Sequence, residues 1–413
     1  MKLIPRLYRG WWVVIASVVI LTVVFGVGFY SFGIFFKPLT TEFGWGRAAV
    51  SGAMSLFTLL WGLSAPLGGR LSDRFGPKKV MLLSAIPFGA SFLLLSRIQN
   101  IWQLYIFYSI LAFTYGGLSL VPISKMVNRW FQSQKGLAMG ITFSGVSLGG
   151  LIFAPIIGYM VDVLGWRQAY IVLGLGSWVI LLPTISFVIK DGPPLLSATK
   201  FEPVKVNGAV PAGSVNAPSI TPVWTTRKML RSSVFWGISI SFFLVNLGQI
   251  AVLTHEVPFL IDTGITPVIA ASILGFTSGL GILGKLIAGY MADRMSRLSI
   301  TVVSFVLQAV GLFMLMEARN IFMIWAFVIV FGMSVGSTAV VRPLMVNKYF
   351  GEATFGAVYG WIEFTRLLGA TIGPFFAGWV YDVTQSYTWA FIPFMIFFVL
   401  GILPLALIRH VKL

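Results

Sequence analysis

The chain of 413 residues contains no cysteine, two histidines and little charge. Without cysteine it forms no disulfide and has no thiolate chemistry. It also lacks a Gly-Lys phosphate loop and a cluster of metal ligands, so we expect no cofactor, no enzyme activity and no ATP-driven pumping. Only 10% of the residues are charged, whereas 57% are hydrophobic. This apolar content exceeds what a soluble core needs and indicates a membrane protein with many spans.

Apolar runs separated by short polar breaks predict the fold class. About 20 helical residues cross a hydrocarbon core about 30 Å thick, so the runs predict an all-α membrane protein with twelve transmembrane helices. Strands of a membrane barrel would be about 10 residues long with strict alternation, which these runs do not show. The start, MKLIPRLYRGWW, resembles a signal peptide in charge, but the apolar run behind it is too long and has no small-residue cleavage site. We interpret it as a retained first span. The predicted spans are residues 11–36, 48–69, 79–97, 101–126, 136–160, 167–189, 233–260, 268–291, 299–317, 321–346, 354–379 and 387–408.

The chain has a net charge of +17, and its Lys and Arg residues are distributed unequally between the two sides of the membrane. With the N-terminus inside, the intracellular segments hold about twenty-one of the twenty-nine Lys and Arg, and the extracellular turns hold about five. This distribution follows the positive-inside rule and predicts cytoplasmic N- and C-termini, in the cell (inner) membrane. We therefore interpret the charge as a signal of topology and of contact with membrane lipids, not as a nucleic-acid surface.

The two halves of the chain repeat each other at a spacing of about 220 residues. GGRLSDRFG at 68–76 is repeated as AGYMADRMS at 288–296, KPLTTEFG as VPFLIDTG, NRWF as NKYF, and APIIGYMVD as GPFFAGWVYD. Because an even number of spans separates the copies, the halves are parallel repeats, and a cavity between them near the midplane is expected. We predict six-helix bundles at 1–189 and 232–413, joined by a cytoplasmic linker at 190–231, with a complete pathway in one chain.

Several motifs resemble known transporters. The loop GGRLSDRFGPKK, the GVSLGGLIFAPIIG run in the fifth span and the half-repeat together resemble the major facilitator superfamily. YSFGIFFKPLTTEFGWGRAAVS, NRWFQSQKGLAMGI and GWRQAY resemble, more narrowly, the monocarboxylate transporters and the bacterial oxalate:formate antiporters. The resemblance implies that the Asp-Arg loop and its copy form a cytoplasmic latch that gates the transporter. The same residues can also set the membrane topology or cap helices, which is compatible with the latch. The latch residues are Asp73, Arg74, Asp293 and Arg294.

Lys285, Glu363 and Arg366 are charged residues deep inside predicted spans of the C-terminal half. A charged residue at the bilayer centre costs at least about 2.5 kcal/mol, so it faces a protein interior or an aqueous cavity. The repeat provides an internal control, because the fold accepts apolar residues at the equivalent N-terminal positions, which are Ala65, Phe143 and Val146. We therefore interpret the three charges as functional rather than structural.

Arg366 lies about twelve residues into the eleventh span, roughly 18 Å deep and close to the midplane. Tyr359, Glu363 and Arg366 follow one another at i, i+4 and i+7 and therefore share one helix face. We predict that this face lines the cavity and contacts substrate. A structural ion pair between Glu363 and Arg366 is the alternative.

Lys285 lies in the eighth span, about 12 Å from the Asp-Arg loop, and either faces the cavity or extends toward the membrane surface. The resemblance implies that the cation at this place binds the substrate carboxylate and that Arg366 holds the place of a second cation in the oxalate transporters. Lysine in place of arginine offers a point charge rather than a fork. The acidic proton relay of proton-coupled relatives would fall on Gly281, so Glu363 is a candidate substitute.

Further candidates are polar side chains in otherwise apolar spans, for which helix contacts are the alternative. Arg342, near the end of the tenth span, is expected to meet lipid phosphates or the inner gate. The candidates for substrate contact are Tyr30, Tyr115, Asn246, Gln249 and Ser278, and those for proton coupling, besides Glu363, are His255 and Glu256.

The leading hypothesis is a secondary transporter that moves a small organic anion by alternating access around Lys285 and Arg366. With one cation paired to Glu363 the site suits a monocarboxylate such as lactate, and with both cations free it suits a dicarboxylate such as oxalate. Proton symport and anion exchange are both open as the mode. An exporter of drugs or lipophilic cations is the alternative within the same fold, although such sites generally rely on buried acids. A sensor that binds its ligand without moving it is a further alternative.

Overall fold

The computed structural model describes residues 9–118, 120–131, 135–190, 226–292, 294–318, 320–351 and 355–408. Nearly all of them are helical, and the long helices follow one another through short turns. The N-terminal half contains α1 (Arg9–Phe43), α2 (Arg47–Phe75), α3 (Pro77–Leu95), α4 (Ile101–Leu118 and Leu120–Trp130), α5 (Lys135–Leu164) and α6 (Trp166–Val188). After a short helix, Thr226–Leu230, the C-terminal half contains α7 (Ser233–Asp262), α8 (Pro267–Ala292), α9 (Arg297–Met316), α10 (Ile321–Phe350), α11 (Phe355–Thr384) and α12 (Thr388–Leu400 and Ile402–Ile408).

The prediction of an all-α membrane protein is confirmed. Among the described residues, eleven helices are long and apolar enough to cross a membrane. The remaining long helix, α11, has 30 residues, as α5, α7 and α10 have. It contains Glu363, Arg366 and Asp382, which lower its mean hydropathy. Helix α11 packs along both α7 and α2, as a membrane-spanning helix of the bundle would. Its charged residues, and not its length or position, therefore distinguish it from the other eleven helices.

The ends of the helices follow from the local sequence. The Ser232 hydroxyl accepts a hydrogen bond from the third amide of α7, and Asn320 caps α10 in the same way. Such caps satisfy amides that have no partner inside the helix. α1 and α7 are each followed by a glycine with positive φ, Gly44 at 65° and Gly264 at 94°. These glycines are equivalent positions of the repeat, which therefore extends to the backbone of the turns.

Two seams hold the six-helix halves together around a central cavity: α2 packs on α11, and α5 packs on α8. The repeat makes the seams equivalent, because α8 and α11 correspond to α2 and α5. Glycine permits the closest approach in each. A Cβ on Gly378 would lie 2.6 Å from the Arg47 carbonyl oxygen, and a Cβ on Gly158 would lie 2.5 Å from the Ala271 Cβ. Gly158 and Gly378 are again equivalent positions of the repeat.

We call the end of the bundle with the α1–α2 turn the Arg47 end and the opposite end, with the α2–α3 turn, the Arg74 end. The predicted latch residues belong to the Arg74 end, where Arg74 is exposed and Arg294 stacks over Tyr290 at 3.7 Å. The Asp73 side chain and the whole of Asp293 lie outside the described residues, so the latch stays a prediction. Most of the predicted linker, residues 190–231, also lies outside them.

Candidate functional site

A cavity of about 160 Å³ lies between the two halves. Helices α1, α2 and α5 line it from the N-terminal half, and α7, α10 and α11 line it from the C-terminal half. Equivalent positions of the repeat face it together, Tyr30 with Ile250 and Val146 with Arg366. The repeat therefore pairs an apolar side chain on one wall with a polar or charged side chain on the other.

Glu363 and two arginines form a charge cluster on the C-terminal wall. Arg366 Nε is 2.8 Å from Glu363 Oε2, and Arg342 Nε is 2.5 Å from Glu363 Oε1. Tyr359, one turn before Glu363, is hydrogen-bonded to both Arg342 and Glu363. The helix face predicted on α11 therefore assembles here, together with a guanidinium from α10. The expectation that Arg342 meets lipid phosphates is wrong, because its charge is paired inside the bundle.

The charge cluster carries a net positive charge and is reached by water. Two guanidinium groups share one carboxylate, so the formal charge of the cluster is +1. Between 11% and 22% of each of these side chains is exposed. This partial exposure leaves the cluster accessible to a small ligand that arrives through water.

Polar side chains of α7 support the cluster. Arg366 Nη1 donates to Asn246 Oδ1 at 2.7 Å, which orients the guanidinium from the neighbouring helix. Gln249, one turn further along α7, donates to Gln308 at 2.8 Å and to Thr338 at 3.2 Å, and so ties α7 to α9 and α10. Asn246 and Gln249 both line the cavity and also make contacts between helices, so their role in substrate contact stays a prediction.

Lys285 lies beside the cavity at the α5–α8 seam. Its Nζ donates to Ser147 Oγ at 2.8 Å, and the Ser278 hydroxyl, two turns earlier on α8, donates to the Ser147 carbonyl oxygen at 3.1 Å. Val146, next to Ser147, is part of the cavity wall. Lys285 therefore points into the contact between the halves rather than toward the membrane surface. Among the described residues, its ammonium group contacts a neutral hydroxyl and no carboxylate.

A network of ion pairs that the sequence analysis did not predict closes the Arg47 end. We call Lys37, Arg47, Asp262 and Asp382 the Arg47 network. Arg47, from α2, lies 2.6 Å from Asp262 and donates to the Tyr387 hydroxyl at 2.7 Å. Lys37, from α1, lies 2.6 Å from the same Asp262. The network therefore joins two helices of the N-terminal half to the C-terminal half.

Asp382 adds a contact of a different kind to the Arg47 network. Its carboxylate accepts hydrogen bonds from the backbone amides of Arg47 and Ala48, at 2.7 and 2.8 Å. These are the first amides of α2, which lack partners inside the helix and carry the positive end of its dipole. A carboxylate of one half thus caps a helix of the other half.

His255 and Glu256 lie behind the Arg47 network and are fully buried. The ring nitrogens of His255 are 2.9 Å from the Tyr387 hydroxyl and 3.0 Å from the Pro374 carbonyl oxygen. Glu256 contacts α8 instead, where the Thr277 hydroxyl donates to its Oε1 at 2.8 Å. The two neighbouring candidates for proton coupling therefore face different helices.

Two glycines toward the Arg74 end have open space beside them in the part of the chain that the structure describes. A Cβ on Gly140 of α5 or on Gly360 of α11 would meet no atom of the described residues within 4 Å. These glycines are equivalent positions of the repeat, so the opening is shared by both halves.

Tyr115 is not brought to the cavity. Its hydroxyl donates to the Val24 carbonyl oxygen at 2.7 Å, and its ring packs on Phe57 in the core of the N-terminal half. Gly28 lies against the hydroxyl, where a Cβ would be 2.4 Å away, so this glycine permits the close helix packing. Tyr30, in contrast, ends the π-helical stretch Val24–Tyr30 of α1 and lies on the cavity wall.

Comparisons with known proteins agree with this architecture. The family model of the Major Facilitator Superfamily matches residues 18–316 and 257–412. Monocarboxylate transporter 13 of Rattus norvegicus is 24% identical over 388 residues, which cover 93% of this chain and 85% of that protein. The oxalate:formate antiporter of Oxalobacter formigenes is 25% identical over 371 residues, which cover 88% of this chain and 83% of that protein. A crystal structure of a bacterial homolog of the human lysosomal transporter Spinster, inward-facing and occupied, matches with a TM-score of 0.75 at 13% identity, covering 98% of this chain and 97% of that one.

Two repeated six-helix halves around a central cavity define a membrane transporter rather than an enzyme. The chain belongs to the Major Facilitator Superfamily. It is an integral multi-pass membrane protein, and the resemblance predicted from its motifs is confirmed, including the similarity to monocarboxylate transporters and an oxalate:formate antiporter.

Proposed function

We propose that the protein transports a small organic anion, preferably a monocarboxylate such as lactate, by alternating access of its two halves. The observation that carries the proposal is the charge cluster, in which Arg342 and Arg366 share Glu363 beside a cavity between the halves. A cluster of charge +1 attracts one negative charge, and a guanidinium group can hold a carboxylate through two hydrogen bonds. The names of the relatives, a monocarboxylate transporter and an oxalate:formate antiporter, support a carboxylate substrate.

Lys285 offers a second cation one helix away from the cluster. Its hydrogen bond to Ser147 crosses between the halves, so a second carboxylate drawn to Lys285 would compete with that contact. A dicarboxylate such as oxalate, held by Arg366 and Lys285 together, is therefore the second candidate substrate. It would bridge the two cations at the contact of the halves.

The charge of the cluster argues against export of drugs or lipophilic cations. The two guanidinium groups of the cluster outnumber its single acid, so a cationic ligand would meet repulsion. A small carboxylate fits this charge.

Glu363 acts in this proposal as an internal counter-ion of the empty site. It occupies one side of Arg366 and one side of Arg342, and it leaves the cluster at +1 rather than +2. Enclosing an uncompensated charge in a protein interior is costly. A carrier with an internal counter-ion can therefore change conformation without substrate, which supports net transport in addition to exchange. Proton symport and anion exchange are the two candidate modes.

We assign the Arg47 end to the outside and the Arg74 end to the cytoplasm, because the excess of Lys and Arg lies at the Arg74 end and in the connected segments. Both termini are then cytoplasmic, in the cell (inner) membrane. In this orientation the conformation is closed to the outside and open to the cytoplasm.

The test is uptake of labelled lactate and oxalate into proteoliposomes, with and without an inward proton gradient and with and without internal carboxylate. Arg366→Ala removes a guanidinium of the cavity wall but leaves Glu363 paired with Arg342, so we expect the variant to fold. A charge-assisted hydrogen bond contributes about 1.5 to 3 kcal/mol, so uptake at low substrate concentration should fall at least about tenfold.

Arg97→Ala is the matched control, because it removes an exposed guanidinium at the Arg47 end and should leave uptake unchanged. Normal uptake by Arg366→Ala would contradict the proposal. Failure of the wild-type protein to take up either anion under every gradient would contradict it as well.

A further inference from the structure

Glu256 is a fully buried acid whose charge has no partner. Its relative exposure is 0%, and its Oε1 accepts the single hydrogen bond from Thr277. Within the described residues, Oε2 has no hydrogen-bond partner, and no lysine, arginine or histidine nitrogen lies within 4 Å of the carboxylate. An ionised carboxylate is rarely buried in this way, because water stabilises the charge much better than an apolar interior.

The nearest charged and titratable groups on α1 and α8 do not pair with Glu256. Tyr30, from α1, lies near it as a neutral phenol and packs beside Ser278. Lys285, on α8, is eight residues beyond Thr277, about 12 Å along the helix, and is bonded to Ser147. Neither helix therefore supplies a cation to the carboxylate.

The remaining groups around this part of α7 are also engaged elsewhere. His255 faces Tyr387 of α12 and a carbonyl oxygen of α11. Lys37, further along α1, pairs with Asp262. Arg366, on α11, is bonded to Asn246, which lies ten residues before Glu256, about 15 Å along α7. Glu256 is therefore isolated from every described cation that its neighbouring helices carry.

The burial of Glu256 depends on contact between the halves. The Tyr30 ring and Ser278 meet at Gly150 of α5, where a Cβ would lie 3.2 Å from the ring and 2.4 Å from Ser278. Gly33 of α1 packs on α7 beside the acid, where its Cβ would lie 3.0 Å from the Thr254 carbonyl oxygen. Residues of the N-terminal half thus cover the site, and separation of the halves at the Arg47 end would admit water to it.

We propose that Glu256 is a proton-binding site that takes up one proton whenever the Arg47 end closes. When that end is open, water solvates the carboxylate and it ionises. Closure removes the water and supplies no cation, so the acid is neutralised by a proton instead. Tyr30 lines the central cavity and packs beside Ser278, next to Thr277, so the Glu256 site adjoins the cavity. The inference rests on the alternating access of the proposed function, but not on the identity of its substrate.

The test measures the opening of the Arg47 end as a function of pH in the absence of any carboxylate substrate. Because the chain has no cysteine, Arg97→Cys and Phe322→Cys introduce a single pair of spin-label sites, both exposed, one on each half at this end. Double electron–electron resonance then measures the distance between the two spin labels in lipid nanodiscs, and the distance distribution gives the ratio of open to closed protein. When opening of the Arg47 end releases one proton, the ratio of open to closed protein changes by up to about tenfold per pH unit.

We expect the labelled parent protein to shift toward the open state as the pH rises from about 5 to 9. Glu256→Gln, which preserves the shape of the neutral acid, should stay closed at every pH, and Glu256→Asp should retain a pH-dependent shift. A ratio that does not change with pH in the parent, or a shift that persists unchanged in Glu256→Gln, would overturn the proposal.

His255→Asn is the matched control, because His255 is the adjacent buried titratable group. Protonation of His255 would charge a buried ring and open the Arg47 end at low pH, which is the opposite direction. We expect His255→Asn to keep the direction of the parent's shift. Opening on acidification that His255→Asn abolishes would assign the effect to His255 and overturn the role of Glu256. These measurements contain no carboxylate, so their result does not depend on whether the protein transports one.

Discussion

The role of Glu363 as an internal counter-ion predicts a specific change of transport mode in Glu363→Gln. The substitution keeps the size of the side chain and its ability to accept a hydrogen bond. It removes the charge that lies 2.8 Å from Arg366 Nε and 2.5 Å from Arg342 Nε. The charge of the empty site rises from +1 to +2, while Asn246 and Tyr359 still contact the two arginines.

The size of the effect follows from the burial of the pair. Removing one partner of a buried ion pair costs about 3 to 5 kcal/mol, and the lower value applies because 22% of the Glu363 side chain is exposed. If enclosing the empty site costs about 3 kcal/mol more, the conformational change of the substrate-free protein slows by more than about a hundredfold. A bound carboxylate restores the compensation, so the loaded carrier crosses at close to the normal rate.

Net uptake and exchange of labelled lactate in proteoliposomes separate the two steps. We expect Glu363→Gln to lose net uptake and to retain exchange against internal lactate. Glu42→Gln is the control, since Glu42 pairs with Arg167 at the exposed Arg47 end, away from the cavity. Net uptake by Glu363→Gln at the wild-type rate would refute the counter-ion argument. Equal loss of net uptake and exchange in a folded variant would refute it too, because Glu363 would then be needed in the loaded carrier.

Two further predictions concern the Arg47 end and its conformational equilibrium. Asp382→Ala removes the cap from the Arg47 and Ala48 amides, and the loss of about 1 to 2 kcal/mol should raise the ratio of open to closed protein about five- to thirtyfold, measured by spin-label distances across that end. Gly378→Ala places a Cβ 2.6 Å from the Arg47 carbonyl oxygen and should hold the same end open, whereas Gly360→Ala, on the same helix, meets open space and should leave the distances unchanged. Closed distances in Gly378→Ala equal to those of the parent would contradict the packing argument.

The repeat made much of the fold predictable from the sequence. Helix lengths follow from apolar runs, and the constant spacing of the repeated motifs places the same helix pairs at both seams. Even the turns obey it, as the positive φ of Gly44 and Gly264 illustrates. These properties are local or periodic, so a single sequence contains them.

The charge cluster was predicted in part. Glu363 and Arg366 share a helix face, which sequence spacing can reveal, and apolar residues at their N-terminal equivalents marked them as unusual. The same comparison would have found Arg342, because the NRWF and NKYF motifs align it with the buried Ile123. Its position near a helix end suggested the membrane surface instead. The packing of α10 on α11 brings it to Glu363, and that is a property of the assembled bundle.

The Arg47 network could not be predicted from spacing. Arg47 belongs to the N-terminal half, whereas Asp262 and Asp382 belong to the C-terminal half, so their contact depends on how the two halves pack together. Each of these residues also lies at a helix end, where a solvated charge is the ordinary expectation. Contacts that exist in one conformation of a carrier leave no periodic trace in its sequence.

The empty space beside Gly140 and Gly360 has a consequence for inhibition. Under the proposed alternating access, closure of the Arg74 end would put a helix of the other half against each of these two glycines, as one now lies against Gly158 and Gly378. A compact apolar molecule lodged there would act as a wedge, because it would fill volume that the opposite helices must enter. Such a blocker would arrest the protein facing one side of the membrane without touching Arg366 or Lys285. Its potency would therefore be independent of how much carboxylate competes for the cations.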